Sequence, residues 1–244
     1  MAEVLTTGEG RVKSPAQLAL IELSARIADE ALTNVLSHGV VGLSEIEIAM
    51  RLDAEMERLG SHGVSFPTIV ATGAGAAEPH HEPSNVTVKT GDMVVIDMGA
   101  SVDGWRSDMT RTVRTGDADP RLVEMFSLVR AAQEAGLSSV RPGTTGAEVD
   151  GAVRAVFRDA GVEDLFIHGT GHGVGLVIHE FPILNRSCET ALLEGEVVTV
   201  EPGLYREGVG GVRIEDLVVV TATGYRTLTH TPKELSCLRS ARTT

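Results

Sequence analysis

Apolar residues recur at helical spacing from Leu18 through Ile21, Ala25, Ala28 and Leu32 to Val35, between a Ser14-Pro15 start and Gly39. That spacing predicts an amphipathic helix, with the proline in the first turn where its missing N–H costs nothing. A second helix is predicted over residues 44–59. Ser44 is its N-cap, Glu47 stands three residues on, Ile48, Leu52 and Met56 share one face, and Gly60 stops it. The pattern then returns. Residues 121–140 and 145–160 read as another helix pair, with Glu148 three residues after Thr145. At an offset of 101, Gly42, Glu47, Ile48, Leu52, Met56 and Gly60 match Gly143, Glu148, Val149, Val153, Phe157 and Gly161. Each pair is followed by β-rich, glycine-rich sequence. An internal duplication of helix–helix–strands is expected, approximately 11–115 and 121–230, with residues 115–120 as the link. Two such halves packed face to face would place a site between them.

The β-rich stretches carry acidic residues where apolar ones are usual. Residues 93–100 and 105–113 are predicted strands joined by a turn around Asp103-Gly104, and residues 196–201 and 212–220 form a second pair. Asp97 sits inside a β-branched run, where aspartate is disfavoured. A turn over residues 101–104 would set Asp97 directly opposite Asp108, Val95 opposite Thr110 and Ile96 opposite Met109. Directly opposed like charges destabilise a sheet. Either one carboxyl is then protonated, or cations sit between the two. Glu201 and Glu215 interrupt apolar runs in the same way. A single carboxylate of this kind is ordinarily an edge residue beside an arginine, and Arg213 could serve any of them. Four of them alongside clustered histidines point to metal.

The histidines lie in HGTGHGVGLVIHE, residues 168–180. His168 and His172 are four apart, but Gly169, Gly171, Gly173 and Gly175 would make a poor helix. An extended strand fits better, its bare glycine face open to another backbone or a ligand. His168, Thr170 and His172 then share the other face. Strict alternation sends His179 to the opposite side, so a bend or bulge is needed if it joins them. His80 and His81 stand upstream. One imidazole with four carboxylates is a hard donor set, suited to Mn(II), Co(II), Fe(II) or Zn(II). The charge matches two ions roughly 3.5–4 Å apart.

Composition narrows the partners. The 244 residues hold 21 Lys and Arg against 34 Asp and Glu, a formal net charge of −13, with five Phe, two Tyr and one Trp. No dense basic run or aromatic platform is present, so nucleic acid is not an expected partner. No apolar run approaches the ~18 residues of a membrane span, and the N-terminus lacks a secretory signal's apolar stretch. A cytoplasmic protein is expected, without membrane partners. Two cysteines, Cys188 and Cys237, cannot build a disulfide scaffold or a cysteine-rich zinc site.

In order and spacing, VVIDMGASVDGWRSDMTRTV, HGTGHGVGLVIHE, VTVEPGLY and GVRIEDLVVV resemble the motifs of the pita-bread dinuclear metallopeptidases, which include methionine aminopeptidases, prolidases and aminopeptidase P. The resemblance spans residues 11–235. It implies an α+β fold of two pseudo-symmetric halves around a central antiparallel sheet, as one catalytic domain over residues 1–244 with no separate N-terminal domain. It implies that Asp97 chelates one metal, Asp108 and Glu215 bridge two, and His172 and Glu201 complete the second. Glu201 is similar to the family's proton shuttle, and His80, His168 and His179 to its substrate-side histidines. PHHEPSN, HGTGH, EPGLY, GVRIED and TPKEL resemble the prolyl-peptidase branch. The activity so implied is hydrolysis of an N-terminal Xaa-Pro bond by a hydroxide held between two divalent ions, Mn(II) first, on a peptide substrate. A homodimer is compatible with it. The alternatives are a methionine aminopeptidase, a metal-free creatinase-type amidinohydrolase and a non-catalytic binding protein on the same scaffold.

Overall fold

A computed structural model describes residues 10–234, so Leu235 of the closing TPKEL motif and Cys237 lie outside the described residues. The first half runs α1 (Pro15–Ser37), α2 (Glu45–Arg58), β1 (Ile69–Thr72), a 3-10 turn at Gly73–Ala77, β2 (Met93–Met98), β3 (Ser101–Val102), β4 (Trp105–Arg106) and β5 (Met109–Arg114). The second runs α3 (Pro120–Ser139), α4 (Gly146–Asp159), a 3-10 turn at Glu163–Leu165, β6 (Gly171–Gly173), β7 (Glu180–Leu184), β8 (Val197–Val200), β9 (Gly203–Arg206), β10 (Gly210–Arg213), β11 (Asp216–Thr221) and β12 (Gly224–Thr227).

The helices begin where local chemistry places them. Ser44 accepts from Glu47 N while the Glu47 side chain returns to Ser44 N, and Thr145 and Glu148 repeat the capping box at α4. Gly60 and Gly161 follow these helices with φ of +104° and +70°, a region that favours glycine. The two halves share a plan. Antiparallel order β1-β2-β5 in the first corresponds to β6-β8-β11 in the second, where β7 and β12 extend the sheet at its edges.

Strand alternation separates the core from the site. Val94, Ile96 and Met98 of β2 pack with Ile48, Leu52 and Met56 of α2, whereas Asp97 points the other way. In the second half Val198, Val200, Val218 and Val220 pack with Leu137 and Val149. The sheets meet where Glu215 N donates to Thr110 O at 3.1 Å and Thr112 Oγ1 donates to Arg213 O at 2.8 Å.

Two predicted strands are broken. Residues 105–113 divide into β4 and β5 around Ser107-Asp108, and residues 212–220 into β10 and β11 around Ile214-Glu215. Across both breaks the hairpin keeps its register and its partner. Ser107 N bonds Ala100 O, and Ile214 N bonds Pro202 O.

Candidate active site

The hairpin register differs from the expected one. Asp103 and Gly104 have φ of +50° and +83°. Two left-handed residues make a two-residue turn of the type that matches strand twist. Val102 therefore pairs with Trp105, and Asp97 faces Thr110 rather than Asp108. Likewise Ile96 faces Arg111 and Val95 faces Thr112. The slip is two residues, so every side chain keeps its face. Asp108 still shares the Asp97 face, as a diagonal neighbour, and the direct carboxylate opposition is relieved.

The histidine segment reaches the same place. Gly171 presses against β8, where an added Cβ would lie 2.1 Å from Thr199 O, and at Gly173 one would lie 2.8 Å from Phe181 O. The bare face thus receives backbone. Only residues 171–173 are regular strand, and a bulge falls between His172 and Gly173. With the turn that follows, it brings His179 back against His172, ring centroids 4.4 Å apart and edge to face.

Asp108, His172 and Glu215 each offer a ligand atom, and these atoms lie within 4.8 Å of one another. His172 Nε2 stands 3.6 Å from Asp108 Oδ2 and 3.3 Å from Glu201 Oε1. Its Nδ1 is 3.1 Å from Gly173 O, a contact that assigns the proton to Nδ1 and leaves Nε2 facing the carboxylates. Thr110 Oγ1 donates to Glu215 Oε2 at 2.8 Å. Arg213 Nη2 donates to Asp97 Oδ2 at 2.7 Å, and Asp97 Oδ1 is buried with no partner among the described residues.

Burial, then the charges of Glu215, Asp97 and Glu201, pushes the Asp108 carboxyl well above its ordinary range. Burial, then Glu201 and Asp97, does the same to Glu215. Asp97 is raised by burial, against the pull of Arg213. Burial also works to raise Glu201, but the hydrogen bond and charge of His172, then His168 and Arg213, outweigh it and hold the group at about 2. Three carboxyls that resist ionisation for want of positive charge beside one that is ionised, with one Asp97 oxygen left without a partner among the described residues, fit divalent cations. The residues that could hold them are Asp97, Asp108, His172, Glu201 and Glu215.

All eight sequence-predicted site residues line one cavity of about 350 Å³, together with apolar walls from Phe66, Ile69 and Ile178. His179 is half-buried, and burial pulls its pKa down, as it does for His168. Two site residues were not singled out from sequence. Tyr205 Oη lies 2.9 Å from His168 Nε2, and Arg213 Nη1 donates to that hydroxyl at 2.8 Å. From sequence, Arg213 is only a general counter-charge. The one sequence sign of this chain of contacts was a basic residue inside the apolar run of β10.

The model of "Metallopeptidase family M24" matches residues 19–222, most of the chain. The chain belongs to this metallopeptidase family. Among similar proteins are an uncharacterized peptidase of Bacillus subtilis, 42% identical over 93% of this chain, and an Xaa-Pro dipeptidase of Pyrococcus furiosus, 39% identical over 92%. In both cases this M24 chain spans 64% of the relative's length. An Xaa-Pro dipeptidase from Bacillus anthracis superposes with a TM-score of 0.92 at 41% identity, over 93% of this chain and 64% of that one. An X-Pro aminopeptidase from Thermotoga maritima gives 0.91 at 36%, over 93% and 65%. The pita-bread fold of two pseudo-symmetric halves, expected from the motifs, is the one this M24 chain shares with them.

Proposed function

We propose that this chain is the catalytic part of a dinuclear metallopeptidase that removes the N-terminal residue from peptides with proline second. The observation that carries the reading is the convergence of Asp108, His172 and Glu215 on one point, flanked by Asp97 and Glu201, on a cavity that also presents His80, His168 and His179. The names of its relatives favour Xaa-Pro bonds over N-terminal methionine.

Asp97, Asp108, His172, Glu201 and Glu215 would hold two divalent ions, Mn(II) first, with Co(II), Zn(II) or Fe(II) as alternatives. When bound, such ions supply Lewis-acid polarisation of the scissile carbonyl and acidify the attacking water. Glu201 is a carboxylate at neutral pH and is the base that takes that proton and returns it to the leaving nitrogen. His179 is neutral at that pH and donates to the carbonyl oxygen as charge develops there. His168 has both ring nitrogens engaged, Nδ1 with Gly169 O at 2.7 Å and Nε2 with Tyr205, so it serves the substrate once Tyr205 turns aside. A proline leaving group has no amide N–H to satisfy, and its ring suits walls of Phe66, Ile69 and Ile178. The acidic cavity favours the substrate ammonium. A cytoplasmic homodimer belongs to the same proposal.

A side-by-side assay tests it. Xaa-Pro peptides and Met-Ala-Ser are offered to protein supplied with Mn(II), Co(II) or Zn(II). Faster cleavage of Xaa-Pro is expected. Preference for Met-Ala-Ser would reassign the branch, and no cleavage with both metal sites filled would make the chain a binding protein.

A further inference from the structure

His80 is exposed at the cavity, and its side chain makes no hydrogen bond among the described residues. Its direction is therefore set by its neighbours. On one side, the Pro79 carbonyl accepts from Arg213 Nη1 at 3.3 Å. On the other, His81 turns inward, its side chain 13% exposed and its Nε2 2.8 Å from Glu45 Oε2. Glu45 is the first residue of α2 and fully buried. The same Oε2 accepts from Ser84 N at 2.9 Å and Ser84 Oγ at 2.7 Å, and Oε1 accepts from Thr72 N at 2.8 Å. One carboxylate thus ties the end of β1, His81 and Ser84 to a helix start. No step of the proposed hydrolysis uses it. Space for the ring comes from Gly75, where an added Cβ would lie 2.8 Å from His81 Cε1.

We propose that the Glu45–His81 pair is a positioning device for His80. With Arg213 holding Pro79 and Glu45 holding His81, the residue between them is clamped on both sides and presented to the substrate without a bond of its own. A buried, fully bonded carboxylate makes a stiff anchor, because releasing any donor leaves a polar group unpaired. His81 acts through His80 and need not touch the substrate. The inference deepens the peptidase reading and rests on it for its kinetic consequence, but not for the tether itself.

The test has two arms. Hydrogen–deuterium exchange over residues 79–84 reads the tether without any assay of activity. Exchange is expected to quicken in His81→Ala and in Gly75→Ala, whose backbone is not in the left-handed region and accepts alanine. It should stay near wild type in His81→Gln, whose amide can still donate to Glu45. Unchanged exchange in both disrupting variants overturns the proposal. The second arm is kinetic, on an Xaa-Pro peptide. His81→Ala should lose roughly 10- to 100-fold in kcat/KM, the scale of a small misplacement in a site, and His81→Gln should recover most of it. The double variant His80→Ala/His81→Ala should be no slower than His80→Ala alone. Additive losses would mean that His81 acts by another route, and overturn it. If the wild type cleaves no Xaa-Pro peptide, the function reading fails while exchange still decides the tether.

Discussion

Arg213 Nη2 lies 2.7 Å from Asp97 Oδ2, and the other oxygen of the carboxylate is buried without a partner among the described residues. The arginine therefore offsets only part of the negative charge gathered around it. Divalent ions should stabilise the fold strongly. For one site at ion concentrations 100-fold above Kd, linkage gives about 2.7 kcal/mol. For a chain of this size that is roughly 5–10 °C in Tm. Thermal melts of chelator-treated protein with added Mn(II), Co(II) or Zn(II) check this, and a Tm indifferent to all three would remove metal from the cavity.

Asp108 and Glu215 should be the most damaging carboxylates to lose, because they converge on one point with each other and with His172. Asp108→Ala is expected to abolish both the metal-dependent rise in Tm and hydrolysis. The apo protein itself should be no less stable, since a carboxyl raised by burial and by Glu215 is removed. Full activity of this variant in chelator-treated buffer would contradict the dinuclear mechanism.

His179 touches the His172 ring rather than the carboxylates. His179→Ala should keep close to two metal ions per chain while kcat falls about 100-fold, the scale of losing one donor to a developing oxyanion. Elemental analysis beside steady-state kinetics separates these. Loss of metal would place this histidine among the ligands.

What could be read from sequence was local. The Ser44/Glu47 and Thr145/Glu148 caps announce themselves within four residues, and the structure holds both. The Asp103-Gly104 turn was visible too, but its length was not, so the register came out two residues away. Side-chain period is also two, which is why Asp97 and Asp108 share a face despite the slip. The breaks before Asp108 and Glu215 left no local sign, because they arise where the two sheets meet. The Arg213–Tyr205–His168 and Glu45–His81 contacts were equally hidden. They join residues that only tertiary packing makes neighbours.

Gly171 is held by packing rather than by backbone conformation, since it lies outside the left-handed region. A Cβ there would meet Thr199 O at 2.1 Å, and a carbonyl in a ladder cannot step aside. Gly171→Ala should force β6 off β8 and cost about 3 kcal/mol or more in urea-melt stability. It should also weaken metal binding, because His172 moves with the strand. A variant as stable as wild type, with unchanged metal affinity, would show that the strands are not so closely packed.

Asp216 carries the acid-side stability prediction. Burial works to raise its pKa, but the charges of Arg111 and Lys233, with hydrogen bonds from Lys233 and Gln133, outweigh this and lower it. The unfolded chain then binds the proton more readily than the folded one. The sign follows from that: the stabilisation is complete above the unfolded aspartate value of about 3.9 and is lost as pH falls through the lower folded value. Asp216→Asn leaves the buried Arg111 without its carboxylate partner, 2.8 Å away. At neutral pH it should cost about 3–5 kcal/mol. Below about pH 4 the gap between variant and wild type should narrow, since protonation removes the same charge from the native protein. Urea melts from pH 7 down to pH 3 check this, and a gap that stays constant across that range would show that the Asp216 charge does not hold this end of β11.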